Sequence, residues 1–360
     1  MLVVDAHLDL SMNALEWNRD LRQPAAAIRA REAGLTDKPD RGRGTVAFPD
    51  LRRGGVGLVV ATQIGRYVAP GNPLPGWHSP EQAWAQTQGQ LAWYREMERA
   101  GELAPIATRA ELDAHLLAWQ QPTPTAPIGY IRSLEGADSL VSVDYLQTAV
   151  RDGLRAVGPA HYGPGRYSPG TDASGPLEPQ GPALLREMER LGVILDVTHL
   201  SDDAFTQALD LFGGAVWASH HNARALVPHQ RQLTDVQIRH LVDRGAVIGA
   251  SCDAWMIVPD WVRGQSTPAE AGCTLDRLAD HVLHICGLAG STRHVCIGSD
   301  MDGAFGTEQC PTELQTIGDL PRLGEVLARR GFSDEDVERF AWRNVVEFLR
   351  AHWADREWVT

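Results

Sequence analysis

Eight short runs of β-branched and other apolar residues recur along the chain, each closing on polar or metal-competent side chains: 2–9, 57–63, 127–135, 154–161, 193–199, 215–220, 246–252 and 295–300. Between them lie stretches with apolar residues at three- and four-residue spacing, among them 80–100, 202–211, 234–244 and 275–288. Strands that alternate with helices predict βαβ units and a parallel sheet. Eight such units predict an α/β fold closed into a (β/α)₈ TIM barrel, with helices outside and side chains filling the interior. Ser201 and Thr234 stand where helix N-caps belong. The run 333–353, opening on Ser-Asp-Glu-Asp, reads as a long amphipathic helix, expected on the barrel exterior.

Two segments break the repeat. One is 18–48, rich in Arg, Ala, Asp and Gly; the other is 161–182, with Gly163-Pro164-Gly165 and Ser168-Pro169-Gly170. Each follows a strand, on the side where barrel active sites are built, so both are predicted as loops over a pocket mouth. For 18–48 a mobile surface insertion is the plainer alternative.

The 360 residues fit one such domain, 1–360, without repeat or linker. Hydrophobic residues at 43% and charged residues at 22% are globular values, and no run is long enough to span a bilayer. A formal charge of −13 without a basic cluster excludes a nucleic-acid partner. The amino end shows no cationic region followed by a long apolar one, so a cytoplasmic location is expected. Five widely spaced cysteines (252, 273, 286, 296, 310), with no Cys-x-x-Cys pair, predict reduced, mostly buried thiols.

The chemistry gathers at the strand ends. In Asp5-Ala6-His7-Leu8-Asp9, alternation puts His7 and Asp9 on one face, and an imidazole and a carboxylate two positions apart can share a divalent cation. Alone the pair says little, since hydrogen-bonded histidines are common. Glu135, His199 and His220, at equivalent positions of other runs, change the reading. A carboxylate and three histidines gathered without a metal would be costly to desolvate. Five protein ligands exceed what one open catalytic zinc takes, so two divalent ions, zinc by ligand type, are expected, with Glu135 bridging them. Water held between two such ions is acidic enough to attack at neutral pH.

These motifs, with Leu134-Glu135-Gly136, Asp196-Val197-Thr198-His199-Leu200-Ser201, Ser219-His220 and Gly298-Ser299-Asp300-Met301-Asp302-Gly303, run in order over nearly the whole chain. In this the sequence resembles the renal (membrane) dipeptidase family, peptidase family M19. The resemblance implies a distorted (β/α)₈ barrel with two zinc ions that hydrolyses dipeptides, in many members with a D-residue at the carboxyl-terminal position. It implies that His7 and Asp9 bind one zinc, His199 and His220 the other, and that Glu135 bridges. It further implies that His161 contacts the scissile carbonyl and stabilises the oxyanion, that Arg231 holds the substrate carboxylate, and that Asp300 meets the amino group and handles a proton.

Small dipeptides are thus the expected partners, with no membrane partner, and a homodimer is admissible. His221 is the alternative to His220 if its strand ends one residue later. Asp302 is read as a turn cap before Gly303, and His229, His240 and His294 as structural or solvent-facing. The chain departs from the family in 18–48, in the Gly/Pro segment after His161, and at Gln230-Arg231-Gln232, where many members have paired arginines and an asparagine. These departures bear on specificity rather than on metal binding. The rival readings are another amidohydrolase-type enzyme, such as an N-acyl amino acid deacetylase or lactonase, and a barrel that binds metal without catalysis. No lysine ends a candidate strand, which disfavours classes built on a carboxylated lysine. No dinucleotide fingerprint, P-loop, His-Glu-x-x-His or Gly-x-Ser-x-Gly motif is present.

Overall fold

The computed structural model describes residues 1–353; residues 354–360, the end of the expected 1–360 span, lie outside the described residues. Its strands are β1 (Val3–Leu8), β2 (Val56–Gln63), β3 (Leu103–Pro105), β4 (Ile128–Glu135), β5 (Leu154–Gly158), β6 (Ile194–Asp196), β7 (Val216–Trp217), β8 (Ile248–Ala250) and β9 (Val295–Ile297). Eight of them lie in the order β7-β6-β5-β4-β2-β1-β9-β8. A parallel bridge from Ala218, just past β7, to Ile248 of β8 closes the ring. The predicted barrel is therefore present. β3 was not anticipated, because three residues carry no period. It pairs with Ile128–Tyr130 on the side of β4 that β5 takes over from Arg132.

Several strands are shorter than the apolar runs that announce them. β5 stops at Gly158, β6 at Asp196, β7 at Trp217 and β9 at Ile297, so the polar residues that follow have left the ladder and stand in turns above it. His199, Asp300 and Asp302 have φ of 69°, 56° and 63°, in the left-handed region that turns the chain sharply. Predicted helices fall close to expectation: Pro80–Arg99, Asp202–Leu211 capped by Ser201, Asp235–Asp243 capped by Thr234 in a capping box with Gln237, and Leu275–Ala289.

A small inner core is separated from a large outer one. Val4, Ala6, Leu58, Val60, Ile131, Ala156, Ile194, Trp217 and Cys296 point into the barrel; Leu8, Val59, Ala61, Leu134, Val157 and Ile248 point out against the helices. The inner set is completed by Val345, Val346, Phe348, Leu349 and Trp353. The carboxyl-terminal run is thus a plug in the lower mouth of the barrel, not the exterior helix expected. Amphipathicity shows that a helix has an apolar face but not which apolar surface receives it. The run is also interrupted: Asp334–Glu338 passes through a π-helical turn, Arg339–Arg343, into Asn344–His352. Asn344 at that junction donates to the carbonyls of Thr292 and Val295, fastening the plug beneath β9.

The segment 18–48 is not a loose insertion. It holds a helix, Ala25–Glu32, and a buried charge network in which Arg19 binds Glu32 (2.8 Å) and Asp40 (2.8 Å). Asp302 accepts from Thr45 N (2.7 Å), Thr45 Oγ1 (2.6 Å) and Val46 N (3.0 Å). Rather than capping its own turn, Asp302 fastens this segment to the end of β9. The five cysteines are unpaired and all but Cys286 are buried. Among the described residues no helix is long and apolar enough to cross a membrane.

Candidate metal centre and pocket

The site begins with a bulge. Past a first register shift between Val3, paired with Val56, and Val4, strand β1 pairs Val4 with Leu58, Asp5 with Val59 and Leu8 with Ala61 of β2. Asp5 to Leu8 advances three positions while the partner advances two, so one extra residue shifts the alternation. Val4 and Ala6 point inward before the bulge, and after it Leu8 points outward, which turns His7 and Asp9 into the barrel. Alternation correctly joins His7 to Asp9; the bulge is what aims them.

Two buried carboxylates hold the strand ends in place. Asp5 Oδ1 accepts from His7 N (3.2 Å) and Ser299 N (2.8 Å), and Oδ2 accepts from Ser299 Oγ (2.5 Å). Burial pushes the Asp5 carboxyl up to about 6 even so. Asp196 Oδ1 accepts from Thr198 N (3.0 Å) and Ser219 N (3.1 Å), tying the turn after β6 to the turn after β7.

Above them the other four expected ligands, His7, Asp9, His199 and His220, gather around Glu135. Its Oε1 lies 3.1 Å from His199 Nε2, 3.5 Å from His220 Nε2 and 3.6 Å from His7 Nε2. His7 Nε2 is 3.8 Å from Asp9 Oδ1 and 3.7 Å from Asp300 Oδ1. The potential ligand atoms form three overlapping groups: His7, Asp9 and Glu135; Glu135, His199 and His220; and His7, His220 and Asp300. His221, though buried, belongs to none of them, which favours His220 as the inward-facing member of the pair.

The donor set fits divalent cations on three counts. Buried His7 Nε2 has no hydrogen-bond partner while facing carboxylate oxygens. The Nε2 atoms of His199 and His220 face each other at 3.3 Å, and their Nδ1 atoms meet the hydroxyls of Thr171 (2.8 Å) and Ser219 (2.9 Å). With the Nδ1 proton given to the hydroxyl, both Nε2 lone pairs point at the space a cation would take. Burial lowers the pKa of His7 to about 3 and those of His199 and His220 well below the usual imidazole value, with Arg231 adding repulsion, so the rings are neutral. Burial, then the nearby Asp9 and Asp300 charges, raises Glu135 well above the usual carboxylate range. The Arg231 charge offsets only part of this, so the cluster is short of positive charge.

A cavity of about 530 Å³ opens over the cluster, an ordinary size for a small-ligand site. Glu135, His161, His199, His220, Arg231 and Asp300 line it, and Lys38 confirms that 18–48 reaches the mouth. From 161–182, His161 and Tyr162 line the cavity while Thr171 supports His199. Gly170 is required there, because a Cβ would stand 1.8 Å from the His161 carbonyl oxygen. Arg231 is 2% exposed. Its Nη2 donates to the His220 carbonyl (3.0 Å), while Nε and Nη1 have no partner. Asp300 is raised well above the carboxylate range by burial and by Asp9 and Asp253. Gly303 lets its side chain fold back, since a Cβ there would meet Asp300 Oδ1 at 2.1 Å.

Sequence reasoning missed part of the lining. The segment 64–77 after β2 contributes Arg66 and Trp77, and the turn after β8 contributes Asp253, Trp255 and Arg263. Arg66 Nη2 lies 2.5 Å from His161 Nδ1. Arg66 stands three residues beyond Gln63, just past a strand end, but an arginine has no metal-ligand chemistry to single it out in the sequence.

The sequence matches the model of the family described as membrane dipeptidase (Peptidase family M19) over residues 1–356. Among curated relatives, Dipeptidase tcpJ of Claviceps purpurea is 34% identical over 233 residues, 62% of this chain and 51% of that protein. An uncharacterized protein from Klebsiella pneumoniae is 31% identical over 216 residues, 58% of this chain and 76% of that one. The chain thus spans about half the length of the first of these relatives. Among solved structures, a metallopeptidase described as dipeptidase AC superposes with a TM-score of 0.79 at 24% identity, covering 98% of this chain and 99% of that one. A metallopeptidase from Rhodobacter sphaeroides, liganded with a phosphinate mimic of the dipeptide L-Ala-D-Ala, superposes with a TM-score of 0.78 at 22% identity, covering 98% and 99%.

Proposed function

The chain belongs to the membrane dipeptidase family, peptidase family M19, and from that premise we propose that it is a binuclear zinc dipeptidase, acting on small dipeptides of L-L and L-D configuration. One observation carries the reading: Glu135 Oε1 stands within 3.6 Å of the Nε2 atoms of His7, His199 and His220. His7 and Asp9 would hold one ion, His199 and His220 the other, with Glu135 shared. When bound, such a pair supplies Lewis acidity and makes water nucleophilic at neutral pH.

The protein's own groups do the rest. Arg231, with two unpartnered guanidinium nitrogens at the cavity, takes the substrate's terminal carboxylate in a planar two-pronged contact. His161 donates to the carbonyl oxygen as it gains negative charge. Asp300 faces the substrate's free amine and delivers to the leaving nitrogen the proton that the attacking water gives up. Inclusion of L-D dipeptides beside L-L ones is suggested by the ligand of the Rhodobacter sphaeroides neighbour.

Metal analysis together with a panel of L-L, L-D and N-blocked dipeptides, run on the wild type and on Glu135→Ala and Glu135→Gln, tests this. Two zinc ions per chain, with loss of metal and of activity in both variants, is the expected result. Undiminished cleavage after complete metal removal refutes the metal reading. Tight metal binding with turnover of lactones or N-acyl compounds alone would move the enzyme to another amidohydrolase class, and an N-blocked dipeptide cut as well as a free one would remove the amine from Asp300.

A further inference from the structure

Four imidazoles surround Glu135, and their second nitrogens are not served alike. His199 Nδ1 meets the Thr171 hydroxyl and His220 Nδ1 the Ser219 hydroxyl, the latter lying 3.4 Å from His7 Nδ1 as well. A hydroxyl both donates and accepts, so these three rings are free to carry their proton on Nδ1 and offer Nε2 to a cation. His161 Nδ1 instead meets Arg66 Nη2 at 2.5 Å. A guanidinium only donates and stays protonated, so His161 Nδ1 must be the acceptor. A neutral ring then has its proton on Nε2, and that atom lies 3.9 Å from Glu135 Oε1, facing the cluster.

We propose that Arg66 is a positioning residue for the reaction: it locks His161 in the Nε2–H tautomer, which bars the ring from ligating a metal and presents a hydrogen-bond donor to the developing oxyanion. The inference rests on the dipeptidase reading only for its kinetic part; the tautomer is a property of the protein itself.

The surroundings of Arg66 are built to hold it. Its Nη1 donates to the Pro75 carbonyl (2.9 Å), and its own carbonyl accepts from Trp77 N (2.8 Å). Val68 N donates to the Trp77 carbonyl (2.9 Å), so the loop closes on itself. Gly76 permits the closure, because a Cβ there would lie 2.8 Å from the Arg66 carbonyl oxygen. Because Nδ1 has to accept from the guanidinium, the ring is left with one proton, on Nε2, and the placement of that proton decides what the ring can do.

The test combines ring ¹⁵N spectra of histidine-labelled, zinc-loaded protein with steady-state kinetics on Arg66→Met, Arg66→Lys, His161→Ala and the Arg66→Met/His161→Ala double variant. In the wild type, His161 should show an unprotonated Nδ1 and a protonated Nε2. In Arg66→Met the two tautomers should mix and kcat should fall about tenfold or more, below the hundredfold or greater loss typical of deleting a whole oxyanion donor, with KM changed less than about twofold. Arg66→Lys, another obligate donor, should restore the tautomer and most of kcat. Arg66→Met should cost nothing further in the His161→Ala background. A protonated Nδ1 in the wild type overturns the proposal. So does a rise in KM alone with the tautomer unchanged, which would make Arg66 a substrate contact, and so does a full additional loss in the double variant. If the wild type cleaves no dipeptide, the functional reading falls while the ring spectra still decide the tautomer.

Discussion

Asp302→Asn isolates what holds 18–48 over the pocket. Asparagine keeps the size of the side chain and tolerates the left-handed backbone at φ 63°, so neither a cavity nor backbone strain is introduced. Every partner of the Asp302 carboxylate donates: Thr45 N, Thr45 Oγ1, Val46 N and Arg19 Nη1 at 3.4 Å. An amide must turn an N–H group toward at least one of these donors. Because Thr45 and Val46 are buried, one backbone N–H is left without a partner, at about 1–3 kcal/mol, and the bonds that remain weaken on losing the charge. Arg19 keeps Glu32 and Asp40, so its charge is not orphaned. The total is about 2–4 kcal/mol. With a urea m-value of about 3 kcal/mol/M, the upper end for small proteins, the midpoint should drop by about 1 M. If 18–48 detaches before the barrel unfolds, the same energy appears as faster limited proteolysis within that segment. An unchanged midpoint together with unchanged proteolysis would refute the account of Asp302 as the clasp.

Thr171→Val keeps the shape beside His199 but removes the group at its Nδ1; zinc affinity measured by chelator competition should fall about ten- to a hundredfold, and an unaltered affinity would show that Thr171 does not orient the ring. A different histidine governs acid stability. His281 accepts from Ala223 N (3.1 Å) and its Nε2 meets the Ile257 carbonyl (3.1 Å), and burial lowers its pKa from 6.5 to about 4. The neutral ring is the native one, so its contribution is complete above the unfolded value near 6.5 and is lost as pH falls through the folded value. Between pH 7 and pH 4 the wild type should lose about 3 kcal/mol more unfolding free energy in urea than His281→Gln, and equal losses would remove His281 from the account.

The repeat of apolar runs and the residues closing them were enough to anticipate a barrel and to single out the side chains that cluster in it as candidate ligands, because strand ends in such a fold face one pocket and only a few side chains there can hold a cation. Less was legible where the physics is not local. The bulge between Asp5 and Leu8 leaves no trace in the hydrophobic pattern, yet without it His7 and Asp9 would point at the helices. Arg66 and Asp302 matter through partners 95 residues and more than 250 residues away, His161 and Thr45, and no spacing rule links them.

The amino-acid sequence by itself therefore determined the parallel barrel, its helices and the metal-competent set His7, Asp9, Glu135, His199 and His220, since each follows from local period and side-chain chemistry. Tertiary structure alone decided that the last helix fills the barrel rather than coating it, that 18–48 is clasped by Asp302, and that the four rings around Glu135 differ in what their second nitrogen meets. Those outcomes depend on which distant groups share a buried volume, where an unmatched donor or an uncovered apolar face is costly, and that is settled only when the chain closes.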